Sequence, residues 1–186
     1  MDESRLIKSP SEVALMRRTC EMAASSINST IAKCSHLNSE LQLASFVEHQ
    51  CKMRGASHMA YPSVVASGDN CNVIHHTQLS DETFSKETRN RDFLLMDAGC
   101  EYGGYTSDIT RTWPLSGSFN NLPRRLVYEA VLDVQQTLIK ALKNNDDTSK
   151  TWTVDSLYYE MKRLFVPHLV NLGLMKEGAD QSHTNM

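Results

Sequence analysis

At 186 residues, 40% hydrophobic and 22% charged, the chain is long enough to bury the core of one ordinary globular domain. A net charge of −3 without any Lys/Arg cluster argues against nucleic acid or an anionic membrane surface as a partner. No apolar run approaches the roughly 18 residues that a bilayer span needs, so no membrane partner is expected. The first element is a helix opening at Ser9-Pro10-Ser11-Glu12, where serine followed three residues later by glutamate forms a capping box and proline suits the first turn. Val13, Met16, Cys20, Ala23, Ile27 and Ile31 then recur at helical spacing. A second helix is predicted from Glu40 to Arg54, capped near Ser39 and stopped by Gly55.

The period then changes. Val64-Val65 and Val73-Ile74 read as two short strands around a Gly68-Asp69-Asn70 turn, and residues 77–91 read as a polar loop. Phe93–Ala98 and Thr106–Trp113 follow as strands on either side of Tyr102-Gly103-Gly104-Tyr105. After Pro123 helical spacing returns with Val127, Ala130, Val131, Val134, Leu138 and Leu142, ending at Asn144-Asn145-Asp146-Asp147. A last helix uses Val154, Leu157, Tyr158, Met161, Leu164 and Phe165, with Pro167 expected to kink or end it. Residues 1–175 read as one structured part without a splitting linker, and 176–186 as a polar tail that frays. The five cysteines lack C-x-x-C spacing and read as reduced, mostly buried residues, which points to a reducing compartment. Residues 1–8 resemble neither a signal peptide nor a transit peptide, so no targeting segment is expected in this chain.

Two aspartates, Asp97 and Asp108, stand on the two arms of the predicted hairpin. If Gly103 and Gly104 are the central turn residues, Asp97 faces Thr110 and Asp108 faces Gly99, so both side chains point to one side of the ribbon. They would then be diagonal neighbours roughly 7–8 Å apart at the backbone, close enough for their carboxylates to hold cations about 3.5–4 Å apart. A three-residue turn would send them to opposite faces. Carboxylates suit hard divalent ions such as manganese and magnesium. Two bland alternatives stay open: both aspartates solvated at strand ends, or a salt bridge from Arg111 or Arg91 to Asp97, whose charge directly follows an apolar run.

Asp97-Ala98-Gly99 followed by Ser107-Asp108-Ile109-Thr110-Arg111-Thr112-Trp113-Pro114 resembles the signature of the aminopeptidase P branch of the pita-bread metallopeptidases. Ala60-Tyr61-Pro62 through Gly68 with Val73-Ile74-His75-His76, and Lys8-Ser9-Pro10-Ser11-Glu12, resemble further stretches of that branch in the same order, most nearly its mitochondrial type. The resemblance implies an α+β chain, the first half of a pita-bread fold, with a curved, mainly antiparallel sheet and helices on one face. It implies that Asp97 and Asp108 are two of five ligands to a pair of divalent metals, foremost manganese, with Asp108 bridging. His75 would line the substrate site and stabilise the tetrahedral intermediate as the first peptide bond, commonly preceding proline, is hydrolysed. It further implies a mitochondrial location, with a cytoplasmic one as the alternative. One departure is His76, where the branch usually has tyrosine.

The resemblance also implies a later histidine and two glutamates as ligands. His168, His183, Glu160 and Glu177 lack the surroundings to replace them. The chain alone is therefore expected to bind metal weakly and to be inactive, as an incomplete catalytic domain. The alternative is a non-catalytic short form that pairs with a full-length enzyme or with a second copy of itself.

Overall fold

A computed structural model describes residues 6–143, 152–176 and 178. The chain forms two compact units, Met1–Asn120 and Asn121–Met186.

The first unit opens with helix α1, Pro10–Lys33. Ser9 caps it, and the reciprocal Glu12 contact completes the expected capping box. Buried hydroxyls on α1 return to carbonyls one turn back, Ser26 to Met22 and Thr30 to Ser26, so they enter the core satisfied. Helix α2, Glu40–Met53, is capped by Ser39, and Gly55 follows its end with φ 102°. Leu43, Val47 and Cys51 of α2 pack with Met22 and Ile27 of α1 against the sheet.

Strands β1 (His58–Met59), β2 (Val64–Ser67), β3 (Phe93–Ala98), β4 (Cys100–Tyr102), β5 (Tyr105–Thr106) and β6 (Ile109–Pro114) form two antiparallel three-stranded ladders, ordered β1-β4-β5 and β2-β3-β6. Along β3, Leu94, Met96 and Ala98 are buried while Phe93, Leu95 and Asp97 occupy the other face. The chain passes from one ladder to the other at Gly99. A Cβ there would lie 1.8 Å from the Ser107 carbonyl oxygen, so only glycine permits the approach. Ser107 and Asp108 form the matching gap between β5 and β6.

Three expectations need correction. Val73 and Ile74 form no strand: a 3₁₀ turn at Gly68–Asn72 precedes them, and both are exposed, having no ladder partner to cover them. The stretch expected as loop contains a short helix α3, Lys86–Arg91, capped by Ser85. The strand expected over Thr106–Trp113 is interrupted at Ser107-Asp108.

The second unit holds helices α4, Leu122–Lys143, and α5, Val154–Asn171, which pack on each other. Pro167 lies inside α5, which continues past it to Asn171, so the proline does not end the helix. The expected stop at residues 144–147 and nearly all of the polar tail lie outside the described residues. No described helix is long and apolar enough to cross a membrane.

Candidate metal centre

The β3–β6 register pairs Asp97 with Thr110 and Ala98 with Ile109, and Tyr102 pairs with Tyr105 around the two glycines. This is the register of a two-residue turn, and it places Asp97 and Asp108 on one face. Asp97 is half-buried within β3, held between Val64 on one side and Thr110 on the other. Asp108 is exposed in the gap beside Gly99.

Their convergence is visible in a third residue. The Tyr61 hydroxyl lies 2.5 Å from Asp97 Oδ1 and 2.9 Å from Asp108 Oδ1. Burial, reinforced by the two carboxylates, pushes the phenol pKa far upward, so Tyr61 stays a protonated donor. One O–H proton thus serves two carboxylates. Neither guanidinium weighed as a partner neutralises them: Arg91 pairs with Asp92 and Glu87, and Arg111 donates to the Thr110 carbonyl. Two converging oxygen donors with surplus negative charge fit a hard divalent cation in kind. They are not a full ligand set, and no group of three His, Cys, Asp or Glu side chains suited to a metal ion occurs among the described residues.

Sequence reasoning gave Tyr61 no role. Its only signal is position: a phenol three residues ahead of Val64, the residue that pairs with Asp97.

His75 is exposed and sits beyond the 3₁₀ turn with φ 56°, a left-handed conformation that non-glycine residues seldom adopt. No hydrogen bond or ion pair joins it to Asp97 or Asp108. His76 turns inward, and its Nε2 is 3.1 Å from Oε2 of Glu40, a glutamate only 1% exposed. His168 is likewise accounted for by Asp133, at 3.1 Å, and Glu160 by Arg163; His183 and Glu177 lie outside the described residues.

Comparison with known proteins shows the family and the fold. The model of metallopeptidase family M24 matches residues 14–173. Xaa-Pro aminopeptidase 3 of Dictyostelium discoideum is 38% identical over 191 residues, which cover 95% of this chain and 34% of that protein. Intermediate cleaving peptidase 55 of Saccharomyces cerevisiae is 38% identical over 94% of this chain and 32% of its own length. Among solved structures, that yeast peptidase superposes with a TM-score of 0.81 at 36% identity, covering 95% of this chain and 42% of the other. Escherichia coli aminopeptidase P superposes with a TM-score of 0.80 at 34% identity, covering 94% and 37%. The chain thus spans about a third of the length of the curated relatives it matches. The α+β architecture with antiparallel sheets is that of the pita-bread fold.

Proposed function

The chain belongs to metallopeptidase family M24, and from that premise we propose that it carries part of the active site of an aminopeptidase of the aminopeptidase P type. The reaction would be hydrolysis of the N-terminal peptide bond, with peptides bearing proline second as substrates. What supports this reading is the convergence of Asp97 and Asp108 on the single Tyr61 hydroxyl.

In this reading Asp97 and Asp108 are the residues that would hold divalent cations, manganese foremost. When bound, such ions polarise a peptide carbonyl and acidify water. Tyr61, kept protonated, fixes the orientation of both carboxylates. His75 offers an exposed imidazole to the substrate carbonyl oxygen as negative charge develops there. With two carboxylates rather than a full set among the described residues, the chain alone binds metal weakly and does not turn over. The relative from Arabidopsis thaliana is named mitochondrial, and we infer the same location for this protein.

Titration of the chain with Mn²⁺, followed by the loss of the free-ion electron paramagnetic signal, tests the reading. Weak binding is expected, abolished in Asp97→Ala and in Asp108→Ala; binding indifferent to both substitutions would sink it. Release of the first residue from an X-Pro peptide should be undetectable for the chain alone. Turnover lost in Asp108→Ala would overturn that inactivity while keeping the family assignment.

A second reading is favoured by one observation: Val127, Val131 and Leu142, on one side of α4, are exposed. A non-catalytic chain could use such a face to pair with a full-length enzyme or with another copy.

A further inference from the structure

We propose that Glu40 is a positioning residue for His75: its buried carboxylate ties both ends of the segment from Ser67 to Ser80 to the start of α2, and so fixes the loop that presents the imidazole. The proposal rests on the function assigned above only for what His75 is positioned to do.

Apart from Glu40, the segment is held by Cys71 Sγ on the Ala66 carbonyl at 3.3 Å and by Leu79 against the core, and neither reaches His75 or its neighbour His76. The segment pairs with no strand beyond Ser67, and its 3₁₀ turn ends at Asn72. His75 nevertheless adopts φ 56°. A non-glycine residue keeps such a conformation only where its surroundings over-determine it.

Glu40 supplies that constraint by dividing its two oxygens between the two ends of the loop. Oε1 accepts from Ser67 N at 2.8 Å, Ser67 Oγ at 2.9 Å and Asn70 Nδ2 at 2.9 Å. Oε2 lies 3.1 Å from His76 Nε2 and accepts from Ser80 N at 3.3 Å. The Ser80 carbonyl in turn accepts from Leu41 N at 3.1 Å, closing the far end onto α2. As the first residue of α2, Glu40 also places its charge where a helix N-terminus favours an anion. His76 is the side chain adjoining His75. With His76 anchored inward on the carboxylate, 11% exposed, the chain at His75 can only turn the other imidazole outward.

The test is nuclear magnetic resonance on the ¹⁵N-labelled full chain, reading amide exchange at Ser67 and Ser80 and backbone order at His75. In Glu40→Gln the amide keeps one acceptor, which the three donors at the Ser67 end retain, and turns an NH₂ toward His76 and Ser80. Ser80 protection is therefore expected to fall about tenfold or more, Ser67 protection to hold within about twofold, and His75 order to drop. In His76→Ala both amides stay protected and only His75 loses order. His75 order unchanged in His76→Ala overturns the proposal, whether or not Glu40→Gln folds. A uniform loss of protection across the chain in both variants also overturns it, since that marks a general packing role. Neither readout involves metal or peptide, so its failure is separate from a failed Mn²⁺ titration.

Discussion

Two carboxylates share one phenol proton at Tyr61, and that imbalance has a measurable consequence. Tyr61→Phe removes the donor and leaves two anions facing each other, so the variant should lose about 1–3 kcal/mol of stability in chemical denaturation. Because a ligand that binds only the folded state stabilises it by mass action, added Mn²⁺ should raise the denaturation midpoint of the unsubstituted chain and leave that of Asp108→Ala unmoved. Glu40 gives a pH dependence. Burial raises its pKa, but the donors from Asn70, Ser67 and His76 outweigh burial and leave it below the ordinary 4.5. A carboxyl depressed in the folded state contributes stability that is complete above its unfolded value and is lost as pH falls through the folded one. Acid unfolding should therefore steepen below about pH 4.5, and less so in Glu40→Gln, checked by denaturation midpoints across that range. At this scale the shared face of Asp97 and Asp108 was legible, since alternation and a two-residue turn fix it by counting. Tyr61 and Glu40 were not: their partners lie 36 to 47 and 27 to 40 residues away, and no local pattern encodes those meetings.

Among the elements, the helices with an apolar period and a side-chain cap were readable to within a residue or two, as with Ser9 and Ser39. The six-residue α3 was not, because Lys-Glu-Thr-Arg-Asn-Arg has no apolar face; it is capped by Ser85 and tied by Arg89 to the carbonyl oxygens of Cys34 and Leu37. Val73-Ile74 had strand-forming residues, yet a strand exists only where a ladder receives it, and none does here. The break between the two ladders could not be inferred from alternation either; it depends on the contact between Gly99 and Ser107. Gly99→Ala must push the Ser107 carbonyl aside, since 1.8 Å leaves no room for a methyl group. It is expected to cost more than the about 1–3 kcal/mol typical of overpacking, read as a loss of thermal midpoint or of soluble yield. Gly104→Ala, where no atom lies within 4 Å of the added Cβ, is strained only through its φ of 82° and should be milder.

For the molecule as a whole, the α4 stripe was legible but not what covers it. Of Val127, Ala130, Val131, Val134, Leu138 and Leu142, only Ala130 and Val134 are buried. An apolar face of this kind promotes association in water. The chain should therefore gain mass with concentration in light scattering, and Val131→Lys should return it toward a monomer; a monomer at every concentration would remove the support for pairing. The division into two units carries one more implication. Tyr61, His75, Asp97, Asp108 and the Glu40 anchor all precede Asn120. A protease nick or a gene fusion at that boundary would leave the whole acidic cradle on one fragment, so the proposed ion capture and the proposed pairing through α4 could be inherited, lost or transplanted one without the other.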